Sequence, residues 1–370
     1  MTAPVKVDSM DRPVRIAVMV RRLGGRGGME RVINTLATAA ARAAPPARLE
    51  VWCFGVPHDS EWLTDLSYRV VNIDKGTGRF FQLKAKLPLY ARAARRFMAE
   101  SAPDVVLATD PVFVRALLQA RGRSDAPRVY SWIHFAVDRV ANRSWLSDAD
   151  GHLAISTQIA DEIRALGTRR DPVVVGNPLS HTDYPLLPAP TDEARILYIG
   201  RLQNHQKRID LLVEALSKLT RYRFRLDIAG DGPDRPMLEE LISRAGIEQR
   251  VRWHGWQADP WATVQEASVL VLPSDFEGFP MVLLEALAHG IPVVATDCNA
   301  GPRDVVVPGA NGLLVPTGDV EALGRALEAF LRPGAEEMAW PALRRREDVL
   351  DRFSDAVVWQ RIRDALKAGA

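Results

Sequence analysis

Residues 271–304 read VLPSDFEGFPMVLLEALAHGIPVVATDCNAGPRD, and the order of residue types in this stretch decides the fold. The apolar run at 267–272 (ASVLVL) has the length and composition of a strand buried on both faces. Pro273, Ser274 and Asp275 break it. Pro280 suits a first helical turn and residues 281–289 are good helix formers; Gly290, with Pro292 beyond it, ends the helix before a second apolar run. Strand, acidic loop, helix, strand is the unit of a parallel α/β sheet. It carries two carboxylates, Glu277 on the loop and Glu285 roughly one and a half turns inside the helix. Ligands of open α/β sheets bind at the carboxyl ends of the strands, so both acids are expected on that rim.

The same alternation extends in both directions. Strand-like runs fall at 14–20, 49–54, 69–73, 105–108, 128–132, 151–155 and 172–175, and again at 195–200, 223–229, 250–254, 268–272, 292–295 and 312–315. Between the two sets, residues 177–193 (NPLSHTDYPLLPAPTDE) hold four prolines and almost no periodicity, which marks a linker. A chain of 370 residues exceeds what one core usually serves. The pattern predicts two doubly wound, Rossmann-like parallel-sheet domains, 1–180 and 187–352, facing one another across a cleft.

Composition is that of an ordinary globular protein, 47% hydrophobic and 25% charged. No apolar run approaches the roughly 20 residues of a spanning helix and no signal-peptide core opens the chain, so a cytosolic protein is expected. Two cysteines, Cys53 and Cys298, both in or beside strand-like runs, point to reduced buried thiols rather than a disulfide framework or a zinc site. The net charge of +2 is unevenly spread: residues 1–185 carry 26 Lys plus Arg against 19 Asp plus Glu, and the remainder carries 22 against 27. Much of the excess lies in 79–96 (RFFQLKAKLPLYARAARR), which reads equally as a helix on an anionic membrane surface or as a solvated helix with a buried stripe. No nucleic-acid recognition motif accompanies the charge.

A carboxylate accepts two hydrogen bonds from vicinal hydroxyls, so two on one rim suit a polyhydroxylated ligand such as a ribose plus a hexose. Taken alone, the spacing favours a solvated loop acid and an ordinary helix-surface acid. The segment, however, resembles the E-x7-E signature of retaining GT-B glycosyltransferases of the glycosyltransferase family 4 type. That resemblance implies that Glu277 faces the donor sugar and Glu285 the nucleotide ribose, with Gly278, Phe279 and Pro280 of the same loop on the donor.

Three further loops follow strands. Gly200-Arg201-Leu202 leads through Gln206-Lys207 into a helix expected at 209–219; one guanidinium and one ammonium at a strand exit can grip a pyrophosphate and neutralise charge growing on it. The loop resembles the family's G-R-L-x3-Q-K motif, which implies leaving-group contacts for Arg201 and Lys207. Ala229-Gly230-Asp231-Gly232-Pro233 is similar to the family's A-G-x-G-P turn, and Trp256 sits where its base-binding segment lies. In the first half, Gly24-Gly25-Arg26-Gly27-Gly28 precedes a helix expected at 30–41, where glycines let backbone N–H groups approach an anion. A dinucleotide fingerprint fails there: Glu30 stands where the third glycine belongs, and no acid ends the second strand near Phe54. GGMERVI instead resembles the family's G-G-x-E start, which implies that Gly27 and Gly28 lie against donor phosphate and acceptor. His134, in WIHF after a strand, resembles the family's donor-sugar histidine. Asp148-Ala149-Asp150 superficially matches the metal-binding D-x-D of another glycosyltransferase fold, but it leads directly into the strand GHLAIS and is read as structural, so no metal is expected.

The resemblance covers nearly the whole chain, tightly from 196 to 315 and loosely before 175. In its combination of WIHF, GRLxxxQK, SDFEGFPMVLLEA and DCxxGPRD the chain is most similar to bacterial lipopolysaccharide core hexosyltransferases, particularly the 1,6-galactosyltransferase group. It implies a metal-independent, retaining hexosyltransferase with no cofactor beyond a nucleotide-sugar donor, UDP-linked. The implied acceptor is a lipid-linked or lipopolysaccharide saccharide at the cytoplasmic face of the inner membrane, and the final helix, 353–370, would pack back on the first domain. A nucleotide-sugar epimerase, a sugar phosphorylase and a non-catalytic nucleotide-sugar-binding protein are the alternatives.

Overall fold

The computed structural model describes residues 13–21, 23, 27–57, 59–72, 86–123, 126–180, 184–332, 334–335 and 342–368. The chain divides into two compact units, one made of Met1–His181 with Phe353–Ala370, the other of Thr182–Arg352.

The first unit is built on seven parallel strands: β1 (Val14–Arg21), β2 (Ala47–Phe54), β3 (Ser67–Val71), β4 (Val105–Ala108), β5 (Arg128–Ile133), β6 (Gly151–Ala154) and β7 (Val173–Val174), in the order β3-β2-β1-β4-β5-β6-β7. Helices α1 (Gly28–Arg42), α2 (Leu87–Ser101), α3 (Pro111–Arg121) and α4 (Thr157–Arg164) connect them. α3 and α4 start at polar caps: Asp110 accepts from the Val112 N–H at 2.9 Å and Ser156 from the Ile159 N–H at 3.3 Å, each satisfying a donor that a helix start leaves unpaired. α1 buries Val32, Ile33, Leu36, Ala39 and Ala40, a stripe at helical spacing, while its opposite face stays wet. The strand expected at 69–73 ends at Val71, and Ile73 lies outside the described residues. The one expected at 172–175 contracts to Val173–Val174, because Pro172 has no N–H to give the ladder.

The second unit holds six parallel strands, β8 (Ala194–Ile199), β9 (Phe224–Ala229), β10 (Val251–Gly255), β11 (Val269–Leu272), β12 (Val293–Thr296) and β13 (Gly312–Val315), in the order β10-β9-β8-β11-β12-β13. Its helices are α5 (Asn204–Lys207), α6 (Ile209–Ser217), α7 (Arg235–Arg244), α8 (Met281–Ala288), α9 (Pro302–Val305), α10 (Val320–Leu331) and α11 (Ala342–Phe353). β11 and β12 are buried along their whole length, as continuous apolar runs require. Leu212, Leu216, Leu226, Ile228, Val269, Leu327 and neighbours form one core, each fully buried side chain contributing about 1.5–3 kcal/mol. Pro280 stands at the N-cap of α8 rather than inside its first turn.

The last helix, α12 (Asp355–Ala368), belongs to the first unit: Arg363 donates to the Ala44 carbonyl at 2.8 Å, and the Leu179 N–H to the Phe353 carbonyl at 2.7 Å. In the basic segment 79–96, residues 79–85 lie outside the described set. The rest is α2, whose apolar stripe of Tyr90, Ala91, Ala94 and Phe97 faces the core and whose Leu89, Arg92 and Arg96 stay exposed. No helix among the described residues is long and apolar enough to cross a membrane.

Candidate functional site

In the second unit the chain fills the sheet outward from β8 through β9 to β10, then returns to start β11 beside β8 and fills the other side. The connections leaving β8 and β11 therefore diverge to opposite faces, which opens a crevice between their carboxyl ends. The loop after β8 carries Gly200, Arg201 and Lys207; the loop after β11 carries Glu277.

Hydrogen bonds fuse these two loops. The Asp275 N–H donates to the Gln206 carbonyl at 2.8 Å, the Gln206 amide donates to the Phe276 carbonyl at 3.1 Å, and Arg208 spans the Asp275 carboxylate at 3.2 and 3.0 Å. Arg208, in a left-handed conformation at φ 46°, also donates from Nε to Asp210 at 3.1 Å. On this platform the Lys207 ammonium donates to Glu277 Oε1 at 2.6 Å, with side chains only 12% and 8% exposed. A charge-assisted hydrogen bond so removed from water fixes the direction of both side chains. Arg201 differs: it is exposed, and its guanidinium makes no hydrogen bond or ion pair among the described residues. Its backbone is fixed instead, since the Tyr198 hydroxyl donates to the Arg201 carbonyl at 2.9 Å; burial pushes that phenol's pKa upward.

Backbone approach explains the glycines. A Cβ on Gly230 would lie 1.8 Å from the Gly200 carbonyl oxygen, so the turns after β8 and β9 touch backbone to backbone. Gly301, at φ +87°, supports the Gly278-Phe279-Pro280 loop, and a Cβ there would come within 2.5 Å of the Pro280 ring. Cys298 is buried near Glu277; burial first, and then the carboxylate's charge, push its thiol up to about 12, so it stays protonated.

Glu285 is the fifth residue of α8 and is buried. Its Oε2 accepts from the Trp261 indole N–H at 2.8 Å, and the indole lies against the His289 ring with centroids 4.6 Å apart. Trp256, at the end of β10, is 46% exposed. Arg201, Lys207, Glu277, Glu285, Gly200, Gly230, Trp256 and the 278–280 loop thus all belong to connections leaving the carboxyl edge of one sheet. A cavity of about 110 Å³ lined by Arg195, Asp227, Arg252 and His254 includes none of them.

The other expected residues lie in the first unit. Gly27 is the N-cap of α1 and Gly28 its first residue, while Gly24, Gly25 and Arg26 lie outside the described residues. The buried Glu30 carboxylate folds back toward Gly27, where a Cβ would meet Glu30 Oε2 at 2.6 Å. His134 follows β5, packed edge-on against Trp132 at 4.3 Å, with Nε2 buried and without a partner among the described residues. Burial drives its pKa down to about 3, so the ring is neutral and can exchange hydrogen bonds but carries no charge. Asp148 pairs with Arg115 of α3 at 3.0 Å, and Asp150 pairs with Arg121 of α3 and accepts from the Val129 N–H of β5 at 2.7 Å, so both acids have structural partners. Among the described residues no cluster of three or more His, Cys, Asp or Glu could hold a metal ion.

Sequence reasoning missed the Lys207–Glu277 pair, having assigned the lysine to phosphate with Arg201. It also missed Arg208, Gln206 and Asp275, and Trp261. Arg208 adjoins a quoted motif, but Trp261 lies 24 positions from Glu285 and no spacing rule joins them.

The chain is similar to known proteins over most of its length. The family model described as Glycosyltransferase Family 4 matches residues 26–181, and that described as Glycosyl transferases group 1 matches residues 185–341. The chain is 35% identical over 321 residues to the lipopolysaccharide 1,6-galactosyltransferase of Salmonella typhimurium, covering 83% of this chain and 87% of that protein. It is 33% identical over 330 residues to the protein of the same description in Escherichia coli, covering 86% and 89%. A solved structure described as the apo form of the lipopolysaccharide outer core galactosyltransferase WaaB superposes with a TM-score of 0.81 at 29% identity, over 96% of this chain and all of that one. Anabaena Alr3699/HepE in complex with UDP shares the fold, with a TM-score of 0.76 at 19% identity.

Proposed function

The chain belongs to the glycosyltransferase family of the group 1 and family 4 type, and from that premise we propose that it moves a hexose from a UDP-linked donor to a saccharide acceptor of lipopolysaccharide or another cell-surface glycan, with retention and without metal. The observation that supports the reading is that the buried Lys207–Glu277 pair, the exposed Arg201 and the buried Glu285 all lie on connections leaving the carboxyl edge of one sheet. Two cations suit a diphosphate and two carboxylates suit two polyols.

In this reading Glu285 accepts the ribose hydroxyls and Glu277 those of the hexose. Gly200, Gly230, Trp256 and the Gly278-Phe279-Pro280 loop shape the rest of the donor site. As the anomeric C–O bond breaks, its electron pair goes to the β-phosphate oxygen, where Arg201 and Lys207 offset the growing charge. The acceptor hydroxyl attacks the same face of the oxocarbenium-like sugar and its proton passes to the departing phosphate oxygen. Neither glutamate becomes a nucleophile. His134, neutral at working pH, serves as a hydrogen-bonding group toward the sugar, and Gly27 and Gly28 supply backbone N–H groups. Membership of a family with lipopolysaccharide galactosyltransferases supports the acceptor class, and the exposed Leu89, Arg92 and Arg96 on α2 support peripheral contact with an anionic inner-leaflet surface.

Incubation with a panel of UDP-hexoses, with and without lipopolysaccharide core saccharide, tests the proposal. UDP release that depends on acceptor is the expected result. Donor conversion without acceptor would mark an epimerase, and donor binding without any turnover a silent binding protein.

A further inference from the structure

We propose that Trp261 is a positioning residue for nucleotide-ribose recognition: its indole N–H holds the Glu285 carboxylate in the orientation that accepts two vicinal hydroxyls. The inference rests on the reading of Glu285 as the ribose acid, and it names a residue that no motif of the sequence marks.

Glu285 sits on α8 with little access to water. A buried carboxyl group there needs hydrogen-bond partners, and the choice of donor matters. Lysine holds Glu277 by charge, which ties up much of its acceptor strength in an ion pair. The indole N–H of Trp261, at 2.8 Å from Oε2, is neutral and has no acceptor of its own. It fixes one oxygen in place without cancelling the anion, and since a carboxylate offers about four acceptor positions it leaves capacity for a diol.

The tryptophan is itself locked from three sides. Its backbone N–H donates to the Asp259 side chain at 3.1 Å, which closes the turn that begins the short 3-10 segment Trp261–Thr263. Its ring lies on His289 at 4.6 Å with a 32° tilt. His289 in turn donates from Nδ1 to the Pro185 carbonyl at 2.8 Å and meets the Tyr184 ring at 5.3 Å. A side chain with two torsions, held at backbone, ring face and N–H, delivers its donor with little freedom left to lose on ligand binding. Such support is what a preorganised hydroxyl-reading carboxylate requires.

The test is a ligand-and-residue cycle. UDP and 2′,3′-dideoxy-UDP are titrated calorimetrically into the wild type, Trp261→Phe and Glu285→Gln, with melting curves for each. Phenylalanine keeps an aromatic ring at this position and removes the N–H together with the five-membered ring that bears it, so the dideoxy-UDP arm serves as the control for lost packing. The wild type is expected to favour UDP by at least tenfold, and Trp261→Phe to reduce that ratio at least threefold while its affinity for dideoxy-UDP changes less than twofold. In turnover the variant raises donor KM and leaves kcat within about twofold, as loss of uniform binding does. Equal weakening of both nucleotides in a folded variant would assign Trp261 a merely structural role and overturn the inference. If the wild type itself does not distinguish the two nucleotides, the ribose reading of Glu285 fails first. As a check independent of mutation, the Trp261 indole N–H resonance of the wild type should shift when UDP saturates the protein and stay within the spread of the other indoles when dideoxy-UDP does; the reverse result contradicts the proposal.

Discussion

Replacing Lys207 by alanine should damage stability as well as activity, and the geometry sets the scale. At 2.6 Å the attraction between the ammonium and Glu277 is about 6 kcal/mol for an effective dielectric of 20. Part of that is offset by the desolvation of both groups, and what remains on deleting one partner is the cost of a charge left buried, about 3 kcal/mol at the lower end of such cases. A domain of this size loses about 2–4 °C per kcal/mol, so the calorimetric transition of the second unit should fall by about 6–12 °C. Glu277→Gln strands the ammonium instead and should cost a similar amount. The double variant Lys207→Ala with Glu277→Gln removes both charges and should recover to within about 1–2 kcal/mol of the wild type, because it leaves neither charge buried without its partner. A double-mutant cycle in urea therefore reads a coupling of about 2 kcal/mol or more. Single-variant losses that simply add would refute the claim that this pair is electrostatically isolated from water.

Acid should loosen the first unit. Burial holds His134 at about 3 and His152 at about 4, well below the ordinary value of 6.5, so the unfolded chain takes up protons that the folded one refuses; the stability is complete above pH 6.5, falls as pH drops toward those values, and at pH 5 is lower by about 2 kcal/mol per histidine, and a urea midpoint unchanged between pH 7 and 5 would contradict this. Gly230→Ala should lower both melting temperature and UDP affinity, since its Cβ must displace the Gly200 carbonyl that lies 1.8 Å away; calorimetric titration checks it, and wild-type affinity would show that the two turns are not coupled.

Continuous apolar runs between turn residues made the sheets legible, because a parallel strand buried on both faces has no other composition open to it. β11 and α8 fell at the expected place for that reason. Boundaries shifted where backbone donors decide, as at Pro172, and where a local turn interposes a one-turn helix, as α5 does before α6. The site was legible as far as loops carry motif residues: Arg201, Lys207, Glu277 and Glu285 are all on connections leaving one edge. How those residues pair was not. The Lys207–Glu277 bond and the Trp261–Glu285 bond join positions 70 and 24 residues apart, and periodicity describes only neighbours along one element. The chemistry of His134 likewise depended on burial: the strand exit was visible in the sequence, but the neutral ring follows from its burial beside Trp132.

The most direct measurement is the turnover number of Arg201→Ala with a UDP-hexose and core saccharide. Arg201 is exposed and forms no ion pair among the described residues, so its removal should leave the melting temperature within about 1–2 °C of the wild type. If the guanidinium meets charge on the departing diphosphate, kcat falls by about 10²–10³. A folded Arg201→Ala enzyme that releases UDP at the wild-type rate would contradict the account.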